Sequence, residues 1–130
     1  MARLWSNRVM KAGNHTPGAR LRIVLEPDIA IGPGRADLLQ GIKDTGSIAA
    51  AGRRMGMSYK RAWTLVESIN GCFESPLVQA SKGGRRGGNT QLTELGEEVL
   101  SAYRRMEALT DAAIGPEMKK LRRVLRPAKA

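Results

Sequence analysis

Lys60, Arg61, Thr64 and Ser68 fall at spacings that place them on one arc of a helix, each residue advancing by about 100°. Arg53 and Arg54 lie a few residues upstream, and Lys82, Arg85 and Arg86 stand among the four glycines between Lys82 and Asn89. The chemistry open to these groups is hydrogen-bond donation to a polyanion. Arg or Lys can bond guanine O6 and N7, Thr can meet a thymine methyl, and cations and hydroxyls can hold phosphate oxygens. Catalysis is a poor fit, because the chain has one His, one Cys and no carboxylate cluster that would pair a nucleophile with a base. His15 has no companion Cys or acidic group, so neither a metal nor a cofactor is expected. The glycine loop is no phosphate-binding P-loop either: no Gly-Lys-Ser/Thr follows it, and the next element reads as a strand.

Those side chains need elements to hold them, and Thr45 to Asn70 supplies the punctuation of two short helices joined by a tight turn. Ser47 is an N-cap for a helix from Ile48 to about Met55, with Ile48, Ala51, Gly52 and Met55 as its apolar or small stripe. Ala51 and Gly52 have almost no side chain, so another helix can cross closely. Gly56 and Met57 make the turn, and Ser58 caps a second helix from Tyr59 to Asn70. There Tyr59, Ala62, Trp63, Leu65, Val66 and Ile69 share the apolar arc, opposite Lys60, Arg61, Thr64, Glu67 and Ser68. Two cations in the first turn oppose the helix dipole, so stability alone would not put them there. The competing account of that arc is a solvated face on an ordinary core helix.

The surrounding chain reads as scaffold. Leu21 to Leu25 is a β-suited run, expected beside the loop hairpin as a third strand. Pro33 to Asp44 forms a helix with Leu38, Leu39 and Ile42 facing inward, and Leu77 to Ala80 pairs with Thr90 to Leu92 across the glycine loop. Thr93 caps a long helix, 94–114, whose Leu95, Val99, Ala102, Met106, Leu109 and Ala113 follow a heptad-like spacing. Met106, Leu109 and Ala113 are expected to lie beyond the core and to meet a second protomer. The division is a basic N-terminal arm, 1–19, a domain over 20–114, and a basic C-terminal tail, 115–130, in which Met118 to Arg126 is expected to form a last turn of helix. Lys and Arg total 22 against 12 Asp and Glu, a formal charge of +10, which favours a polyanionic partner. The lone cysteine, Cys72, reads as a small buried hydrophobe and suits a reducing compartment. No apolar run reaches membrane length and the N-terminus lacks a secretory signal, so a cytoplasmic, nucleoid-associated protein is expected.

Gly46-Ser47-Ile48, Ala49-Ala50-Ala51 and Gly56-Met57-Ser58-Tyr59-Lys60-Arg61-Ala62-Trp63 resemble the N-terminal domain of molybdate-responsive ModE-type transcriptional regulators. Pro76-Leu77-Val78, Gly83-Gly84-Arg85-Arg86-Gly87-Gly88 and Leu92-Thr93-Glu94-Leu95-Gly96 extend the resemblance over roughly residues 20 to 112. LysR-type regulators share the first-helix pattern but not the Ser-Tyr-Lys start or the glycine wing. The resemblance implies a mainly α fold with a small β-wing: a winged helix-turn-helix with a long C-terminal dimerisation helix. It implies a DNA-binding regulator, a homodimer on double-stranded DNA. Lys60, Arg61, Thr64 and Ser68 would then read bases, and Ser47, Arg53, Arg54, Ser58 and Tyr59 would hold phosphates. Lys82, Arg85 and Arg86 would act from the wing, and the Tyr59 ring is expected to pack inside with its hydroxyl outward. Molybdate is not expected to bind, because the chain ends about where that family's sensor would start. The alternative function is a nucleoid-type architectural protein that coats DNA with little sequence preference.

Overall fold

The computed structural model describes residues 16–81 and 89–127. In chain order it holds β1 (Ile23–Glu26), β2 (Ile29–Ile31), α1 (Pro33–Thr45), α2 (Ile48–Arg54), α3 (Tyr59–Asn70), β3 (Val78–Ala80), β4 (Thr90–Leu92) and α4 (Glu94–Arg123). Helix α1 begins with Pro33 in the first turn, where a missing N–H costs nothing, and ends at Gly46 in the left-handed region (φ 74°). Its Ala36, Leu38, Leu39 and Ile42 are fully buried and form the floor of the core with Ala51, Ala62, Val66, Ile69, Leu77, Leu92, Leu100 and Tyr103.

Small residues set how closely the first three helices approach. A Cβ added at Gly41 would stand 2.8 Å from the Ala51 Cβ, and one at Gly52 would stand 3.0 Å from the Ala62 Cβ. The turn between α2 and α3 places Gly56 at φ 70°, a conformation that a residue with a Cβ adopts only under strain. Serine hydroxyls begin both helices: Ser47 accepts from the Ala50 N–H and Ser58 from the Arg61 N–H, each at 3.1 Å.

Strands β3 and β4 pair antiparallel, with Val78 opposite Leu92 and Ala80 opposite Thr90. The Thr90 N–H donates to the Gly46 carbonyl at 2.8 Å, which ties this hairpin to the α1–α2 junction. Among the described residues the expected third strand does not join it. Instead β1 pairs with β2, the chain reversing at Pro27-Asp28, and the two hairpins are separate two-stranded sheets. Proline sets the φ of such a turn in advance, and the three residues Ile29–Ile31 are enough to return a strand.

Helix α4 is held to the domain by Gly96, Leu100, Tyr103 and Glu107, its four buried positions. The Tyr103 hydroxyl donates to the Leu21 carbonyl. Arg104 pairs with Asp37 of α1 at 3.2 Å and with Glu107 at 2.9 Å, an ion cluster in which the Asp37 side chain is wholly enclosed. The helix does not stop at residue 114: it runs through Gly115 and Pro116 to Arg123. Pro116 removes one backbone donor from an exposed stretch, and Met118, Lys119, Lys120, Leu121 and Arg122 beyond it are good helix formers that carry the helix on. The helix expected from Met118 to Arg126 is therefore a continuation of α4 without a break at Gly115-Pro116, and it ends at Arg123.

Candidate nucleic-acid interface

Helix α3 is the element that presents the polar arc. Ala62, Val66 and Ile69 anchor it in the core, and the opposite side carries Lys60, Arg61, Thr64 and Ser68, all exposed. These four line one open hollow together with Ser58 and Leu65. Among the described residues neither Lys60 nor Arg61 has an ion-pair partner, so both cations stand in the first turn of α3 uncompensated. That turn lacks any acidic residue to meet the helix dipole, a local electrostatic cost that an incoming anion relieves.

The remaining predicted residues are placed less uniformly. Arg53 is exposed, whereas Arg54 turns back to Asp44 at 3.1 Å, a surface ion pair of modest strength. The hydroxyls of Ser47 and Ser58 are engaged as caps. Ser68 accepts at 3.2 Å from Arg35, whose other terminal nitrogen donates to the Ala30 carbonyl at 2.9 Å. Sequence reasoning passed over Arg35; a cation just inside the Pro33 helix start gave no sign that it would reach the end of α3. The Tyr59 ring does not pack inside as expected. It is 56% exposed, and Trp63, one turn on, is 43% exposed. Trp63 lies at the edge of the apolar arc and Tyr59 at the first position of the helix, and the buried set is narrower, limited to the side centred on Ala62, Val66 and Ile69. Lys82, Arg85 and Arg86 lie outside the described residues.

What fixes the hairpin relative to α3 is Asn70, a residue that in sequence marked only a helix end. Its side-chain oxygen accepts from the Leu77 N–H at 2.9 Å and the Val78 N–H at 3.0 Å, while its amide donates to the Val78 carbonyl at 3.1 Å. The base of the hairpin is thus bonded to the C-terminal turn of the helix that carries the polar arc. On the other side Thr93 accepts from the Gly96 N–H at 2.9 Å and donates to the Pro76 carbonyl at 2.8 Å, so α4 starts where the hairpin ends.

Of the residues expected to meet a second protomer, Met106 instead packs against the core of its own domain, because it lies close to the Tyr103 side of the helix. Leu109 is 71% exposed and Ala113 is exposed as well. Cys72 is half-buried rather than enclosed, and its thiol donates to the Ser68 carbonyl.

This arrangement has close relatives. The chain is 37% identical over 93 residues to the transcriptional regulator ModE of Haemophilus influenzae, a match covering 72% of this chain and 36% of that protein. It is 35% identical over 96 residues to the molybdenum transport protein ModE of Azotobacter vinelandii, covering 74% and 36%. These residues form a ModE-type winged helix. The molybdenum-pterin-binding protein MopA of Rhodobacter capsulatus is 42% identical over 85 residues, covering 65% of this chain and 32% of that protein. The chain thus spans about a third of the length of the curated relatives it matches. No family model matches it. In three dimensions the ModE-type winged helix superposes on the CbnR DNA-binding domain, solved as a complex with DNA. The TM-score is 0.51 at 19% identity, over 72% of this chain and 97% of that one, a likeness of fold.

Proposed function

We propose that the chain is a sequence-specific transcriptional regulator that binds double-stranded DNA as a symmetric homodimer, one α3 helix entering the major groove of each half-site. The observation that carries this reading is the pair of uncompensated cations, Lys60 and Arg61, beside Thr64 on the exposed arc of a helix bonded to a β-hairpin. The net charge of +10 and the regulators among its relatives support it. Lys60, Arg61 and Thr64 read base edges. Arg53, and Lys82, Arg85 and Arg86 of the hairpin loop, hold phosphates, and the exposed Leu109 and Ala113 on α4 supply the seam between protomers. Nothing in this proposal requires catalysis, and no molybdate-binding role is given to these residues. The protein works on the chromosome, in the cytoplasm.

The test separates reading from holding. Arg61→Ala or Thr64→Ala should weaken binding to a site selected from a random library by about 1–3 kcal/mol, and binding to random duplex far less. Replacing Arg85 and Arg86 together by Ala should weaken both duplexes alike and flatten the slope of log affinity on log salt by roughly 0.9 for each phosphate no longer neutralised. Equal losses on both duplexes from the α3 substitutions would instead make the protein an architectural DNA coat.

A further inference from the structure

Trp63 is the largest side chain on α3, and it is left 43% exposed beside a Tyr59 ring that is 56% exposed. The two are four residues apart, so they neighbour one another on adjoining turns, about 40° apart around the helix. The Trp63 flank can be located. Asn70 is seven residues beyond Trp63, which brings it back to within about 20° of the same direction, and Asn70 is bonded to Leu77 and Val78 at the base of the β3–β4 hairpin. The aromatic pair therefore lies on the hairpin side of α3. Thr64, one position on from Trp63, is rotated by about 100° and points away from the core with Lys60 and Ser68.

An α-helix with its side chains is about 10–12 Å across and the major groove about 12 Å wide. When the Thr64 direction faces the base edges, the directions roughly 90° to either side face the sugar–phosphate walls. Trp63, about 100° from Thr64, then meets the wall nearest the hairpin, with Tyr59, about 140° from Thr64, behind it on the preceding turn. Deoxyribose offers an apolar face there, which suits a large ring better than phosphate oxygens do, and the cations on the neighbouring arc draw the strand toward it. Two exposed aromatic side chains on adjoining turns, not covered by the chain's own core and bordered by Lys60 as well as by Glu67, form a patch beside the cationic arc rather than a scattered surface hydrophobe.

We infer that Trp63, with Tyr59 beside it, is a DNA-contacting surface that packs on the deoxyribose face of the groove wall on the hairpin side. This rests on the DNA-binding reading above. The contact is blind to base identity, so it contributes to holding DNA and sets the lateral position of α3 in the groove.

The chain has two tryptophans, and Trp5→Phe leaves Trp63 as the sole emitter. With this variant, binding of a fluorescein-labelled random duplex of about three helical turns is followed by anisotropy, and Trp63 emission and acrylamide quenching are followed in parallel. Saturation should quench the emission and protect the ring from acrylamide. Trp63→Ala should lower affinity about tenfold on random and selected duplex alike. A duplex that saturates the protein while emission and acrylamide access stay unchanged overturns the inference and leaves the regulator reading intact. Protection that grows with protein concentration in the absence of DNA also overturns it, by making a second copy the occupant. If wild type binds no duplex, the regulator reading and this inference fall together.

Discussion

The two halves of α4 are one continuous helix and two different kinds of surface. From Glu94 to Glu107 it is locked down: Gly96, Leu100, Tyr103 and Glu107 are buried, and Arg104 is paired to Asp37 of α1 and to Glu107. Beyond Glu107 no described residue of the helix is buried, and Leu109 and Leu121 are 71% and 65% exposed. Both halves carry apolar side chains at helical spacing, so periodicity alone does not say which half a domain will cover. The difference comes from what stands opposite. The first half has Leu77, β4, α1 and the chain leading into β1 to pack on. Among the described residues the second half has the segment around Pro17, which shares a shallow hollow with Met118, Leu121 and Leu125.

The sharpest way to break the contrast is at Gly96. A Cβ there would sit 2.1 Å from the Leu77 carbonyl oxygen, a backbone atom that cannot swing aside, so Gly96→Ala must push α4 off the hairpin base. The expected loss is about 3 kcal/mol or more in chemical denaturation, the range of severe overpacking. A Gly115→Ala control in the distal half, where no described atom lies within 4 Å of the added Cβ, should show none of this loss. Equal stability of the two variants would mean that the first half is not held by this close approach.

A smaller effect is expected at Tyr103, and it should depend on pH. Burial, and after it the Glu107 carboxylate, push the phenol above its ordinary value of 10.0. The folded state thus resists ionisation more than the unfolded chain does. The stability tied to the neutral hydroxyl is complete below pH 10 and is lost as pH rises from there toward the folded value. Tyr103→Phe should cost about 1 kcal/mol at neutral pH, because the bond to the Leu21 carbonyl is gone. It should also remove the part of the alkaline destabilisation that begins near pH 10, as read from melting temperature against pH. A variant that keeps the wild-type alkaline profile would assign that loss to other groups.

Least of all should be the effect of Leu109→Glu on the fold itself. At 71% exposure the side chain contributes little to the domain, so unfolding of the isolated protomer should change by no more than about 0.5 kcal/mol. Sedimentation is the informative measurement: the variant should run as a monomer where wild type runs as a dimer. Wild type sedimenting as a monomer at micromolar concentration while binding its selected site tightly would remove the seam from the proposal.

Features that depend on local backbone chemistry were legible in the sequence. Ser47, Ser58 and Thr93 cap the helices they precede, Gly56 takes the left-handed turn, and the β3–β4 hairpin forms within the two runs expected to pair across the glycine loop. The misses share a cause, which is that long-range partners decide them. Leu21 to Leu25 has the composition of a strand, but only the fold-back of Ile29–Ile31 chooses its neighbour. The extent of α4 is the exception, a local matter: the helix expected over 94–114 passes through Pro116 on an exposed face, and the helix formers after it carry it to Arg123. Within the candidate site, Lys60, Arg61 and Thr64 could be placed on an exposed arc by periodicity alone. Tyr59 and Trp63 could not, because at the first residue of a helix or at the edge of an arc exposure depends on whether another element covers the helix there. Arg35 on Ser68 and Asn70 on Leu77 and Val78 are side-chain interactions across elements, and neither has a signature in spacing.

Asn70 also bears on how such a protein would gauge a duplex. Three hydrogen bonds hold its amide to Leu77 and Val78, so α3 and the root of the hairpin resemble the two jaws of a caliper set at one opening. A caliper that cannot open makes the object conform. On the DNA-binding reading, groove width becomes something the nucleic acid must match or be bent to match, and stiff tracts and pliant steps differ in the energy this takes. Sequence preference would then extend to base pairs that no side chain of α3 touches, set in part by an amide at the far end of the helix.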